Sequence, residues 1–272
     1  MPLSVETHDR LEDAARALAA SRSARFLGGG TLVMRAANAG SPAFDTIIRT
    51  RDPALAAIRI EGDAVIIGAG VTMSQIIAHR DTAVLAPVAR VIGGPAVRNM
   101  ATVGGNLFAR APFGDLTAAL LALDAAVLLA DQSRGIALED FLRDRPRNMT
   151  RLVRAVSVPR PRDAGAFRVV KVSRVKPKGV SVLSIAAHLP LSGGRIQGTR
   201  IAYAAMAPTP IRATAAERAL EGRSLDPAAI AEAARLACDG IEPPTDALAS
   251  AWYRREVAGV HLRRLLTAEG RR

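Results

Sequence analysis

Cysteine is nearly missing from this chain: Cys238 is the only one among 272 residues. One thiol forms no internal disulfide and cannot supply the four thiolates of an iron–sulfur cluster. The four histidines (His8, His79, His188, His261) are scattered without ligand spacing, which disfavours zinc. Aromatic residues make up 3%, too few for stacking along single-stranded nucleic acid. No apolar run approaches the ~18 residues of a membrane span. The opening Met1-Pro2-Leu3-Ser4-Val5-Glu6 lacks the basic and apolar regions of a secretory leader, so a cytoplasmic location is expected.

Catalytic signatures are missing too. No lysine follows a glycine turn at the P-loop position, and there is no G-x-S-x-G elbow and no H-E-x-x-H. Asp115 and Asp124 lie nine residues apart, too far along one helix to share a proton. Cys238, in an alanine-rich amphipathic stretch, reads as an inert core thiol. A chain with so few acid–base groups reads as one that holds a group doing the chemistry itself.

What is present supports a folded protein: 49% of residues are hydrophobic, enough for a sizeable core. The net charge of +12 is spread along the chain, with modest groupings at 143–154, 171–178 and 254–264. It reads as a solvated surface suited to acidic partner subunits, with nucleic acid a minority reading.

Two glycine clusters stand out. The first, Gly28-Gly29-Gly30-Thr31-Leu32, follows a short apolar strand candidate and precedes a helical run. The second, Thr102-Val103-Gly104-Gly105-Asn106, lies in the stretch 92–124 around which the chain is organised. Its glycines permit φ > 0 and close approach to a ligand, and Thr102 and Asn106 offer hydrogen bonds at its edges. Asp115 before an apolar run reads as a helix N-cap. Either cluster alone is a tight turn; as a pair they could grip one long, anionic ligand such as a pyrophosphate. Gly68-Ala69-Gly70 begins as G-x-G, but Met73 stands where a third glycine is required, so it reads as a strand-to-helix turn capped by Thr72.

Periodicity gives helices over 9–20, 32–39 (stopped by Gly40 and Pro42), 73–80 and 115–123, a helix or buried segment over 84–92, and strands between them. The Pro159-Arg160-Pro161-Arg162-Asp163 stretch is the most linker-like. Beyond it, three strands over 167–175, 180–189 and 197–206 imply an antiparallel sheet. Three helices follow over 214–220, 227–238 and 248–266. In the last, Leu248, Trp252, Ala258, Leu262 and Leu266 are assigned to the core.

The ordered set Gly28 to Thr31, Gly68 to Thr72, Ile92 to Asn99, Thr102 to Leu107, and Asp115-Leu116 before Leu120 to Ala125 resembles the FAD-binding medium subunit of molybdenum hydroxylases, the xanthine dehydrogenase and carbon monoxide dehydrogenase family. The likeness covers nearly the whole chain. It implies an α+β protein: a PCMH-type FAD-binding domain over 1–160 (subdomains about 1–50 and 51–160), then a smaller α+β domain over 164–272. It implies FAD in this chain, with Gly28, Gly29, Gly30, Thr31, Leu32, Thr102, Gly104, Gly105 and Asn106 around its pyrophosphate. By the same likeness Asp115 serves the ribose or adenosine end, Val153 packs on the ring or adenine, and Lys171 lies near the cofactor. Leu32 stands where the family motif A-G-G-T-D has aspartate, and Gly28 where it has alanine.

The implied function is electron transfer. A large partner subunit with the molybdenum cofactor oxidises the substrate, and iron–sulfur clusters in a small subunit relay electrons to FAD here. NAD, oxygen or a quinone then accepts them. A stand-alone PCMH-type flavin oxidase is the nearest rival, and a basic nucleic-acid-binding or scaffold protein with empty glycine turns is the rival from another class.

Overall fold

The computed structural model describes residues 3–41, 43–175 and 179–268. The helix stop assigned to Pro42, and Lys176 and Lys178 of the second basic grouping, lie outside these. The chain forms two compact units, Met1–Ala109 with Ala125–Arg160, and Arg110–Asp124 with Pro161–Arg272. The helix Asp115–Ala122 therefore belongs to the second unit although it interrupts the first in sequence.

The first unit contains two sheets. Strands β1 (Ser4–His8), β2 (Ala24–Phe26) and β3 (Thr46–Thr50) form a parallel sheet with β3 central. The helix Leu11–Ala20 covers it with Leu11, Ala14 and Leu18, at the i, i+3, i+7 spacing of a single helix face. Strand β1 was not anticipated, because its apolar pattern is short and its side chains are largely exposed. The second sheet is antiparallel, in the order β4 (Ile58–Glu61), β5 (Ala64–Gly68), β8 (Val153–Pro159), β6 (Ala126–Leu129), β7 (Ile136–Ala137). Val65, Ile67, Val127, Val156 and Val158 are buried in it.

Thr72 caps the helix Met73–Ala78 as expected, in a capping box with Gln75. The G-x-G segment is a strand-to-helix turn, and its glycines answer to packing. A methyl at Gly68 would lie 2.3 Å from the Leu55 carbonyl oxygen, and one at Gly70 3.0 Å from it. The run 84–92 is a 3-10 turn (Arg80–Leu85) followed by the short helix Ala86–Arg90.

The second unit has a four-stranded antiparallel sheet with β9 (Phe167–Ser173), β10 (Ser181–His188), β13 (Arg200–Ala204) and β14 (Ile211–Arg212). A small hairpin of β11 (Leu191–Ser192) and β12 (Arg195–Ile196) precedes β13. The three expected strands are the first three of this sheet, and the two-residue β14 adds its edge. Helix Asp115–Ala122 packs on β10 and β13 and is buried on all sides, so it has no polar face. The helices Thr214–Leu220, Pro227–Arg235 and Ala251–Leu266 complete the core, with Asp226 capping the second. The architecture is α+β, as expected.

The last helix corrects two assignments: it begins at Ala251, so Leu248 lies outside it and is only half-buried. Trp252 is 68% exposed, and the buried face runs Arg254, Ala258, Leu262, Leu265, Leu266. Trp252 and Ala258 differ by six residues, about 240° around a helix at 100° per residue, so they cannot share a face. Arg254 takes the place assigned to Trp252. It is fully buried because its guanidinium bonds the carbonyls of Val182, Pro244 and Ala249 and pairs with Asp246. Cys238 also differs: it lies past the end of its helix and is half-buried. Burial pushes its thiol up to about 11, consistent with an inert group.

Candidate functional site

The first glycine cluster links the end of β2 to the helix Val33–Asn38. The N–H of Leu27 completes the strand pairing by donating to the Ile48 carbonyl at 2.8 Å. From there the chain leaves the sheet. The N–H groups of Gly28, Gly29, Gly30, Thr31 and Leu32 have no hydrogen-bond acceptor among the described residues. Gly28 is exposed and the other four residues are half-buried, so these groups are open to water or a ligand. Gly30 has φ +72°, a left-handed turn within the run that splays consecutive N–H groups into an anion-binding concavity.

The structure brings the two glycine clusters together. A methyl at Gly28 would fall 2.7 Å from Thr102 Oγ1, and one at Gly29 only 1.6 Å from the Met100 carbonyl oxygen. At Gly29 the neighbour is backbone, so only glycine fits there.

The second cluster differs from expectation. Residues Val103–Leu107 form one helical turn with Thr102 as N-cap, and neither Gly104 nor Gly105 has positive φ. Four of its backbone donors are engaged within the protein. Val103 N–H donates to the Val71 carbonyl, Gly104 N–H to that of Ala69, Asn106 N–H to that of Thr102, and Gly105 N–H to Thr102 Oγ1. Gly104 is needed for packing, since a methyl there would lie 2.9 Å from the Ala69 methyl. The cluster thus braces the loop at Gly28–Leu32, whose own N–H groups are the open ones.

Leu32 is the N-cap residue of Val33–Asn38 and provides no side-chain cap, as expected where leucine replaces a carboxylate. Val153 is buried at the start of β8 in the first unit. Asp115 and Lys171 belong to the second unit. Asp115 is not the N-cap: Gly114, at φ 107°, holds that position, and Asp115 is the first helical residue. Its carboxylate accepts from Ser181 Oγ at 2.6 Å and pairs with Lys171 Nζ at 3.0 Å, with side chains only 6% and 8% exposed. Sequence spacing gave no hint of this pair, because 56 residues separate its members and only the sheet-on-helix packing joins them. Among the described residues no cluster of His, Cys, Asp or Glu could hold a metal, and no helix is long and apolar enough to cross a membrane.

Unpaired N–H groups on a glycine loop, backed by a second glycine segment, form a concavity of the kind that can take an anionic group such as a phosphate. The comparisons narrow this class. Residues 3–161 match the FAD binding domain in molybdopterin dehydrogenase, and residues 168–268 match the CO dehydrogenase flavoprotein C-terminal domain. The carbon monoxide dehydrogenase medium chain of Afipia carboxidovorans is 32% identical over 219 residues, covering 77% of this chain and 76% of that one. The glyceraldehyde dehydrogenase medium chain of Sulfolobus acidocaldarius is 32% identical over 177 residues, 63% of this chain and 62% of its own length. A solved carbon monoxide dehydrogenase from Hydrogenophaga pseudoflava superposes with a TM-score of 0.88 at 26% identity, covering 98% of this chain and 97% of that one. The chain belongs to the family of FAD-binding subunits of molybdenum-containing dehydrogenases, and it is an oxidoreductase subunit of that kind.

Proposed function

We propose that this chain is the FAD-carrying electron-transfer subunit of a heteromeric molybdenum-containing hydroxylase or dehydrogenase. The observation that carries the reading is the run of five N–H groups from Gly28 to Leu32 that have no acceptor among the described residues. They would hold the negative oxygens of the FAD diphosphate, with Thr102, Gly104, Gly105 and Asn106 fixing the loop from behind. The FAD-binding domain is assigned to 1–160 and the C-terminal domain to 164–272. For Asp115, Val153 and Lys171 a cofactor role is supported by the family resemblance alone. Bound FAD supplies the redox chemistry, and this chain supplies binding and orientation.

The single cysteine fits a division of labour in which a small partner subunit carries the iron–sulfur clusters and a large one the molybdenum cofactor. NAD, oxygen and a quinone are all compatible acceptors, and the assembly is assigned to the cytoplasm. The test is the absorption spectrum of the purified full chain, with acid release of the chromophore. Flavin bands released as FAD, and lost when Gly104 and Gly105 are replaced by valine, are expected. A folded, colourless protein that takes up no added FAD would refute the reading.

A further inference from the structure

Arg154 stands apart among the basic residues of the first unit. Its Nε is shielded from solvent and has no hydrogen-bond acceptor, and its guanidinium has no ion-pair partner among the described residues. A buried donor without a partner costs stability, and a shielded part of a cation costs more. Arg168 offers a contrast: its Nε is also unbonded, but its terminal nitrogens are anchored on the carbonyls of Leu265 and Leu266. Among the described residues nothing comparable anchors Arg154.

Its position ties it to the glycine loop. Along β8, Val153 pairs with Leu129 and Ala155 with Leu128, so Arg154 is the extra residue of a β-bulge. Bulges interrupt the ladder and re-aim a side chain. The Arg154 carbonyl accepts the Ala69 N–H at 2.9 Å, and the Ala69 carbonyl accepts the Gly104 N–H at 2.8 Å. Thr102, at the start of that turn, lies against Gly28. Two hydrogen bonds thus connect the bulge to the segment bracing the open N–H groups. Among the described residues the same unit thus carries an arginine with an unbonded Nε and no ion-pair partner, together with a run of N–H donors without acceptors.

We propose that Arg154 binds a phosphate oxygen of FAD, adding a charged contact to the neutral N–H groups of Gly28–Leu32. This rests on the FAD-binding reading above. Guanidinium–phosphate bonds are short and charge-assisted, and they offset the cost of holding the arginine unpaired in the free protein. The arrangement trades stability of the FAD-free chain for affinity.

The test compares wild type, Arg154→Met and Arg154→Lys in the full chain. FAD affinity is read by quenching of flavin fluorescence, and FAD-free stability by thermal melting. A second titration uses inorganic pyrophosphate alone. Arg154→Met is expected to bind FAD about tenfold or more weakly, while its FAD-free melting temperature is unchanged or higher. Arg154→Lys, which keeps the charge, should lose less. Pyrophosphate should raise the melting temperature of wild type more than that of Arg154→Met. Two results overturn the proposal: wild-type FAD affinity in Arg154→Met, or a lower FAD-free melting temperature there, which marks a structural arginine. If wild type takes up no FAD while pyrophosphate stabilises it through Arg154, the FAD reading falls and the anion contact stands. If neither ligand acts on wild type, both fall.

Discussion

Replacing Gly29 by alanine isolates the feature on which the site depends. The added methyl would meet the Met100 carbonyl oxygen at 1.6 Å and its carbon at 2.4 Å. A carbon tolerates such an oxygen at about 3.3 Å, so the two segments must part by about 1.7 Å. Both partners are backbone, and no side chain can swing aside. Overpacking of this kind costs about 1–3 kcal/mol. In a unit of this size that lowers the melting temperature by roughly 2–12 °C. The displacement exceeds the ~0.5 Å tolerance of a preorganised site, so one or two N–H contacts to the ligand are lost. At about 1.5–3 kcal/mol per bond to a charged group, FAD affinity falls at least tenfold. Gly28→Ala meets the Thr102 Oγ1 at 2.7 Å, a side-chain atom that can rotate, and should cost less on both measures. Gly62→Ala is the control: its φ is +56° but nothing lies within 4 Å, so stability drops and FAD binding does not. Thermal melting and FAD titration on the three variants decide the matter. A Gly29→Ala protein matching wild type in both would refute the claim that this close approach shapes the site.

Lys171→Met leaves the Asp115 carboxylate buried with Ser181 alone, and a loss of about 3–5 kcal/mol is expected by chemical denaturation. Adding Asp115→Leu should restore much of it, since an apolar pair has no charge to compensate. Trp252→Ala should change stability by less than about 0.5 kcal/mol, because the ring faces solvent. For His188, burial first and then Arg200, its cross-strand partner, hold the imidazole below its usual pKa. The unfolded chain then binds more protons than the folded one near and below pH 6.5, so stability falls as pH drops through that value. His188→Gln should flatten this part of a pH-melting profile.

The sequence by itself determined the elements and the class. Strand-like runs over 167–175 and 180–189 with short connections marked antiparallel strands, Asp226 and Thr72 marked helix starts, and the two glycine clusters marked a candidate anion site. These signals are local: each needs only a few neighbouring residues, so side-chain period and backbone freedom reveal them. Tertiary structure decided what each residue spends its bonds on. Gly104 is glycine because Ala69 presses on it, and Asp115, one residue past the Gly114 cap, is engaged by Lys171 and Ser181 from two strands. Arg254 rather than Trp252 is buried because backbone carbonyls distant in sequence converge on its guanidinium. The open N–H groups of Gly28–Leu32 likewise stand out only against the hydrogen bonds made by Val103, Gly104, Gly105 and Asn106 beside them. A hydrogen bond or a close contact between residues far apart in the chain leaves no periodicity behind, and only the folded coordinates record it.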